Sequence, residues 1–216
     1  MKYGIVGSSG RMGRELIEVF GPENCVATIS LEDETILDSP EVIVDFSRPE
    51  ALKRTLEVCR EYRSALVLGT TALTEDHMVQ VKELAQSVAV VQGYNFSVGI
   101  GVLRMILRQY APALSEWDVE ISETHHIHKV DAPSGTAITL KKEVGRDCPT
   151  HSLRMGGVPG DHSVSFANEG EVLTLTHRAI SRKVFAMGAL QAARFAIGQQ
   201  PGLYDFEEVV SCALKR

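Results

Sequence analysis

Three histidines and a lysine crowd into five residues at His125-His126-Ile127-His128-Lys129. Such a cluster can supply protons and positive charge to a bound anion. Beyond Asp131-Ala132-Pro133 comes Ser134-Gly135-Thr136, which opens a helical pattern. That step offers hydroxyls and backbone N–H groups at a helix N-terminus, where anions bind. Together the two clusters describe a pocket for a small molecule that carries carboxylates and must be protonated. Histidine-rich tracts also bind zinc. No metal is expected here, because neither a cysteine pair nor an HExxH helix accompanies the tract and a neighbouring ammonium disfavours a dication. His162 and His177 stand apart in the sequence and are expected to be structural.

A second constellation lies at the N-terminal end. The run Gly7-Ser8-Ser9-Gly10-Arg11-Met12-Gly13 joins an apolar strand to a helical pattern. Strand, glycine turn and helix form the place where a dinucleotide pyrophosphate sits: glycines let the backbone approach, and the helix dipole faces the phosphates. The spacing is GxxGxxG, with Ser9 where GxGxxG has its middle glycine. Glu32 or Asp33 falls about twenty residues on, where an acid can accept from an adenosine ribose hydroxyl. A solvated acidic loop is the competing reading for both. Lys2 and Arg11 are candidates to approach a 2′-phosphate, so both coenzyme forms are expected to bind. Two more loops, Asp45-Phe46-Ser47-Arg48-Pro49 and Gly69-Thr70-Thr71, follow strand ends on the same expected edge.

The elements that must position these groups fall into two patterns. In the first half, Tyr3–Val6, Val26–Ile29, Val42–Asp45, Ala65–Leu68 and Ala89–Val91 read as short buried strands. Helical spacing fills Arg11–Phe20, Pro49–Arg63 and Thr74–Val88. Alternation of this kind implies α/β architecture with a parallel, Rossmann-like sheet covered on both faces. The link between the second and third strands is too short for a full helical crossover. Beyond it, 96–114 is helical by spacing and Val119–Ser122 alternates as a half-buried strand. Ser163–Asn168 and Val172–Arg178 form a hairpin about Asn168–Glu171. These imply a central α+β domain. Ser181–Ile197 reads as a buried helix, and Asp205 and Glu208 have capping-box spacing for a terminal one. The expected organisation is 1–97 with 198–216 for the dinucleotide domain, and 98–197 for a second domain that carries the histidine cluster.

The whole-chain properties exclude several classes. A chain of 216 residues with net charge −6 lacks the basic surface of a nucleic-acid binder. No apolar run approaches the ~20 residues of a membrane span, and no membrane partner is expected. The cysteines at 25, 59, 148 and 212 are scattered without metal or redox spacing, as in a reduced cytoplasmic protein.

The run Glu123-x-His125-His126-x-x-Lys129-x-Asp131-Ala132-Pro133-Ser134-Gly135-Thr136-Ala137 resembles the signature of the dihydrodipicolinate reductase family. Further matching segments are the glycine loop, Asp45-Phe46-Ser47, Gly69-Thr70-Thr71, Asn95-Phe96-Ser97, Gly156-Gly157, Gly160-Asp161-His162 and Thr176-His177-Arg178-Ala179. Ser9 and Ser47 depart from the common pattern. The resemblance implies a homotetrameric enzyme that uses NADH or NADPH to reduce 4-hydroxy-tetrahydrodipicolinate at ring C4, in the diaminopimelate route to lysine. It assigns substrate binding and tetramerisation to the second domain, 98–197. It implies His125 and Lys129 as the catalytic pair. It implies His126, Ser134, Gly135, Thr136 and Thr71 as substrate contacts. For the cofactor it implies Gly7, Ser8, Ser9, Gly10, Arg11, Met12, Gly13, Glu32 or Asp33, Phe46, Ser47, Gly69, Thr70, Thr71, Tyr94, Asn95 and Phe96. Two other classes compete. A semialdehyde or homoserine dehydrogenase needs an active-site cysteine or another lysine setting, and a metabolite sensor has no need of His125 and Lys129 together.

Overall fold

A computed structural model describes residues 1–214. In chain order the strands are β1 (Tyr3–Val6), β2 (Cys25–Ile29), β3 (Glu34–Ile36), β4 (Val42–Asp45), β5 (Ala65–Leu68), β6 (Ala89–Gln92), β7 (Asp118–His125), β8 (Thr150–Arg154), β9 (Asp161–Ala167), β10 (Val172–Arg178) and β11 (Gly202–Asp205). The helices are α1 (Arg11–Phe20), α2 (Leu52–Tyr62), α3 (Glu75–Leu84), α4 (Val98–Tyr110), α5 (Gly135–Val144), α6 (Lys183–Ile197) and α7 (Phe206–Leu214). Two compact units result: Met1–Phe96 with the stretch from Phe185 onward, and Ser97–Val184.

The first unit is built on a seven-stranded sheet in the order β11-β6-β5-β4-β1-β2-β3. Its strands are parallel except β3, which runs antiparallel to β2. β1, β4 and β5 are buried at every position, as a sheet covered on both faces requires. Strand order reverses between β1 and β4, so the crevice at their C-terminal ends is the ligand position of an open α/β sheet. The short link after β2 carries no crossover helix before the chain passes to β4 on the far side of β1. It forms the edge strand β3, whose register pairs Ala27 with Ile36. β11 adds the other edge beside β6. α7 starts as its sequence foretells: Glu208 Oε1 accepts from the Asp205 N–H at 2.9 Å, and Asp205 Oδ1 accepts from the Glu207 N–H at 2.8 Å.

Helix 183–197 differs from its expected place in the second domain. Its alanine-rich face is buried, and Gly188 packs on the main chain of Phe96 and the ring of Phe206. The compact first unit therefore begins again at Phe185, not near Gly198.

The second unit has a four-stranded sheet in the order β10-β9-β7-β8. One face meets α4 and α5 through Leu103, Leu107, Ile121, Leu140, Val164 and Phe166. The two helices are tied by Glu143, which accepts from Arg104 Nη2 at 2.9 Å and Arg108 Nη2 at 2.7 Å. The opposite face carries hydroxyl pairs Ser163–Thr176 and Ser165–Thr174. Val172 and Leu173 on β10 are exposed. Among the described residues no helix is long and apolar enough to cross a membrane.

Candidate active site

The glycine loop leaves β1 and enters α1 under close contact. Gly7 has φ +77°, and its N–H donates to Ile29 O at 2.8 Å. A Cβ on Gly7 would lie 3.0 Å from Ser47 Cβ, so the loops after β1 and β4 adjoin. A Cβ on Gly13 would lie 2.7 Å from both Ser8 Cα and Ser8 O. The α1 N-terminus has Gly10 at its cap and no side-chain cap, which leaves its first-turn N–H groups facing the loop. These are the features a pyrophosphate needs.

Asp45 organises the neighbouring loops. Fully buried at the end of β4, it accepts from Ser47 Oγ at 2.5 Å, Ser47 N–H at 3.0 Å, Thr70 Oγ1 at 2.7 Å and Thr55 Oγ1 at 2.7 Å. The hydroxyls of Ser47 and Thr70 therefore serve the scaffold. Thr71 is exposed, as are Ser9, Gly10, Arg11 and Tyr94, while Ser8, Met12, Gly69 and Asn95 are half-buried. Phe46 packs its ring on Phe96, and Phe96 on Phe206, at 4.9 and 4.7 Å. Phe96 is thus core, with a ring closed to any ligand. Glu32 and Asp33 are exposed on the turn beyond β2, where both N–H groups donate to Ser30 Oγ. Lys2 corrects the sequence reading. It precedes β1 at the end opposite the glycine loop, and its Nζ holds Asp38 Oδ2 at 2.5 Å.

In the second unit β7 sets the site. Val119, Ile121, Glu123 and His125 alternate inward, while Asp118, Glu120 and Ser122 face out, as strand geometry dictates. Across the sheet the apolar row Ile121, Val164, Leu175 gives way to Glu123, His162, His177. Both helix caps rest on this polar row. Ser97 Oγ, the cap of α4, meets His177 Nε2 at 2.9 Å. Ser134 Oγ, the cap of α5, meets His162 Nε2 at 3.2 Å.

Glu123 is the centre of charge. Burial would raise its carboxyl, but hydrogen bonds from Arg154, Ser152 and His125 outweigh that and hold it at about 2. His125 Nδ1 bonds Glu123 Oε2. Burial pulls the His125 ring below its ordinary value, with the Lys129 and Arg154 cations adding to the effect, against the upward pull of Glu123. His162 is pushed down to about 3, by burial first and then by the nearby His125. The row therefore holds neutral imidazoles beside one carboxylate at neutral pH.

Lys129 stands at the edge. Its Nζ lies 2.8 Å from Asp131 Oδ1. Burial would raise the Asp131 carboxyl, but Lys129 and the Asp131 and Gly135 main chains hold it down. A carboxylate is thus already held between an ammonium and the start of α5. Ser134 and Thr136 are buried. Ser134 Oγ accepts from the Ala137 N–H at 3.2 Å and its own N–H goes to Glu123 Oε1 at 3.2 Å, so Ser134 builds the helix entry. His126 and His128 lie on the following turn with ring centroids 6.2 Å apart. Among the described residues no group of His, Cys, Asp or Glu is arranged to hold a metal ion.

Sequence reasoning assigned no role to Glu123 and Arg154, and it set His162 apart from the site. Glu123 was within reach: its place two residues before His125 continues the inward period of Val119 and Ile121. Arg154 was not, because β8 is polar and exposed and shows no strand pattern.

Comparison with known proteins bears on this geometry. Residues 18–96 match the family model "Dihydrodipicolinate reductase, N-terminus", and residues 99–210 match "Dihydrodipicolinate reductase, C-terminus". A 4-hydroxy-tetrahydrodipicolinate reductase from Thermosipho africanus is 49% identical, covering 97% of this chain and 98% of its own. One from Halorhodospira halophila is 36% identical, with 96% and 97% covered. Among solved structures, a dipicolinate-bound dihydrodipicolinate reductase from Paenisporosarcina sp. TG-14 superposes with TM-score 0.76 at 23% identity, covering 96% of this chain and 98% of that one.

Proposed function

The chain belongs to the 4-hydroxy-tetrahydrodipicolinate reductase family, oxidoreductases of the diaminopimelate route to lysine, and we propose how its residues divide the work of that reaction. The family implies a nicotinamide cofactor, which when bound supplies the hydride. The uncapped N-terminus of α1 and the close backbone at Gly7 and Gly13 fit its pyrophosphate. Glu32 or Asp33 takes the ribose, and the loops at Phe46–Ser47, Gly69–Thr71 and Tyr94–Asn95 line the rest.

The substrate is a ring with two carboxylates, the same class of ligand as the dipicolinate of the Paenisporosarcina structure. The Asp131 carboxylate held by Lys129 and the start of α5 is the observation that carries this reading. A substrate carboxylate finds there a cation and main-chain N–H groups at Gly135 and Thr136. His126 helps hold the ring. Lys129 delivers the proton that the reduced ring needs, and His125 shares in steering it. The enzyme acts in the cytoplasm without a metal. Freshly generated 4-hydroxy-tetrahydrodipicolinate added to protein and NADH should discharge the absorbance of the reduced cofactor. No discharge with an intact fold would refute the reading.

Coenzyme choice follows from the charges near the ribose loop. With Lys2 at the far end of β1, Arg11 is the remaining cation for a 2′-phosphate, against Glu32 and Asp33. Both coenzymes should bind, NADH the tighter. A fluorescence titration checks this, and a preference beyond about a thousandfold, roughly 4 kcal/mol, contradicts it.

The assembly is a homotetramer built from the second unit. The open sheet face with exposed Val172, and the edge strand β10, support that choice. Light scattering at micromolar concentration should return four chains, and a monomer would count against it.

A further inference from the structure

Glu123 is a fully buried carboxylate on a strand face that is otherwise apolar up to that row. Taking an ion from water is costly unless its lone pairs are met. Here they are. Oε1 accepts from Arg154 Nη2 at 2.8 Å and from the Ser134 N–H at 3.2 Å. Oε2 accepts from Arg154 Nη1 at 2.9 Å and meets His125 Nδ1. Arg154 Nη2 also donates to Asp131 O at 2.6 Å. An apolar side chain would fill this place without the desolvation cost, so packing alone does not account for a carboxylate there.

We propose that Glu123, clamped by Arg154, is a positioning residue that fixes the tautomer of His125 and the entry of α5 together. The inference rests on His125 being catalytic. An ionised carboxylate only accepts hydrogen bonds, so the hydrogen between the two groups sits on His125 Nδ1. Nε2 then carries the lone pair of the neutral ring. A Cβ on Gly160 would lie 3.0 Å from that Nε2; glycine there keeps the nitrogen uncovered on that side. The groups facing His125 are Glu123 on its own strand, Arg154 from β8, Lys129 from the turn beyond and His162 from β9. His125 therefore presents an acceptor at Nε2, and the donor of the site is the Lys129 ammonium. The same carboxylate holds Ser134, and Arg154 holds Asp131, so one ion pair sets both the proton side and the carboxylate side.

The tautomer can be read directly. In ¹⁵N-labelled protein at pH 8, long-range proton–nitrogen spectra report which ring nitrogen is protonated, with His125 identified by its loss in His125→Asn. The wild-type ring should carry its proton on Nδ1. Glu123→Gln should move it toward Nε2 and lower kcat about 10–100-fold, the usual range for a group that orients a reacting residue. Arg154→Lys, which keeps charge but loses the fork, should lie between. A wild-type ring protonated on Nε2 overturns the proposal, as does Glu123→Gln with wild-type tautomer and turnover. If Glu123→Gln fails to fold, the wild-type spectrum decides alone. Full turnover in His125→Asn would instead overturn the catalytic role of His125.

Discussion

Lys129→Met should lower kcat by at least about a hundredfold, the range a positioned acid contributes, while NADH affinity stays nearly unchanged. The C4 hydroxyl leaves as water to give a conjugated imine, hydride adds at C4 of that imine, and the product forms only when a proton follows. The site holds the Lys129 ammonium beside a carboxylate, 2.8 Å from Asp131 Oδ1. Methionine keeps the length of the stem and removes both charge and proton. Stability should change little, because Asp131 is mostly exposed and an exposed ion pair is worth about 0–1 kcal/mol. The residues proposed for the cofactor belong to the first compact unit and Lys129 to the second, so the cofactor titration serves as an internal control. Steady-state kinetics with a parallel fluorescence titration separate the two effects. Near-wild-type turnover with an intact fold would remove Lys129 from the reaction.

Gly13→Ala should weaken NADH binding roughly tenfold or more. The added methyl would meet Ser8 Cα and Ser8 O at 2.7 Å, well inside contact distance, and also the carbonyl oxygen of Gly7. These are main-chain atoms of the loop itself and cannot rotate away. Relief requires α1 to back off from the loop, at a cost of about 1–3 kcal/mol for overpacking. That movement carries the first-turn N–H groups away from the phosphate position. Part of the cost will appear as a lowered Tm. Unchanged NADH affinity and an unchanged Tm together would mean that the loop does not pack as described.

Much of this was legible in the chain because local patterns agree with the global fold. The buried strands of the first unit have no polar face, and their apolar runs marked a parallel sheet. Ser134 announced the start of α5, and Asp205 with Glu208 announced α7. The omissions have physical reasons. β3, β8 and β11 are edge strands with exposed residues, so they lack the hydrophobic period that reveals a strand. Lys2 lies near the glycine loop in sequence, but five residues of extended chain span about 16 Å. Ser47 and Thr70 looked like ligand contacts, yet a buried Asp45 claims both hydroxyls. Phe96, expected among the cofactor contacts, is core. Helix 183–197 gives no sign in its sequence of which unit its alanine face will join. Arg154 shows most clearly what a motif hides: it lies on a polar edge strand with no period, and only the register of β8 against β7 brings it to Glu123.

The most direct test of the central claim is isotopic. NADH carrying deuterium at the transferring position of C4, incubated with the protein and freshly generated 4-hydroxy-tetrahydrodipicolinate, should yield tetrahydrodipicolinate with one deuterium at ring C4. One product should form per cofactor oxidised, and product formation should fall at least about a hundredfold in Lys129→Met. Product without deuterium at C4, or no product from a folded protein that binds NADH, would contradict the assignment of this site to that reaction.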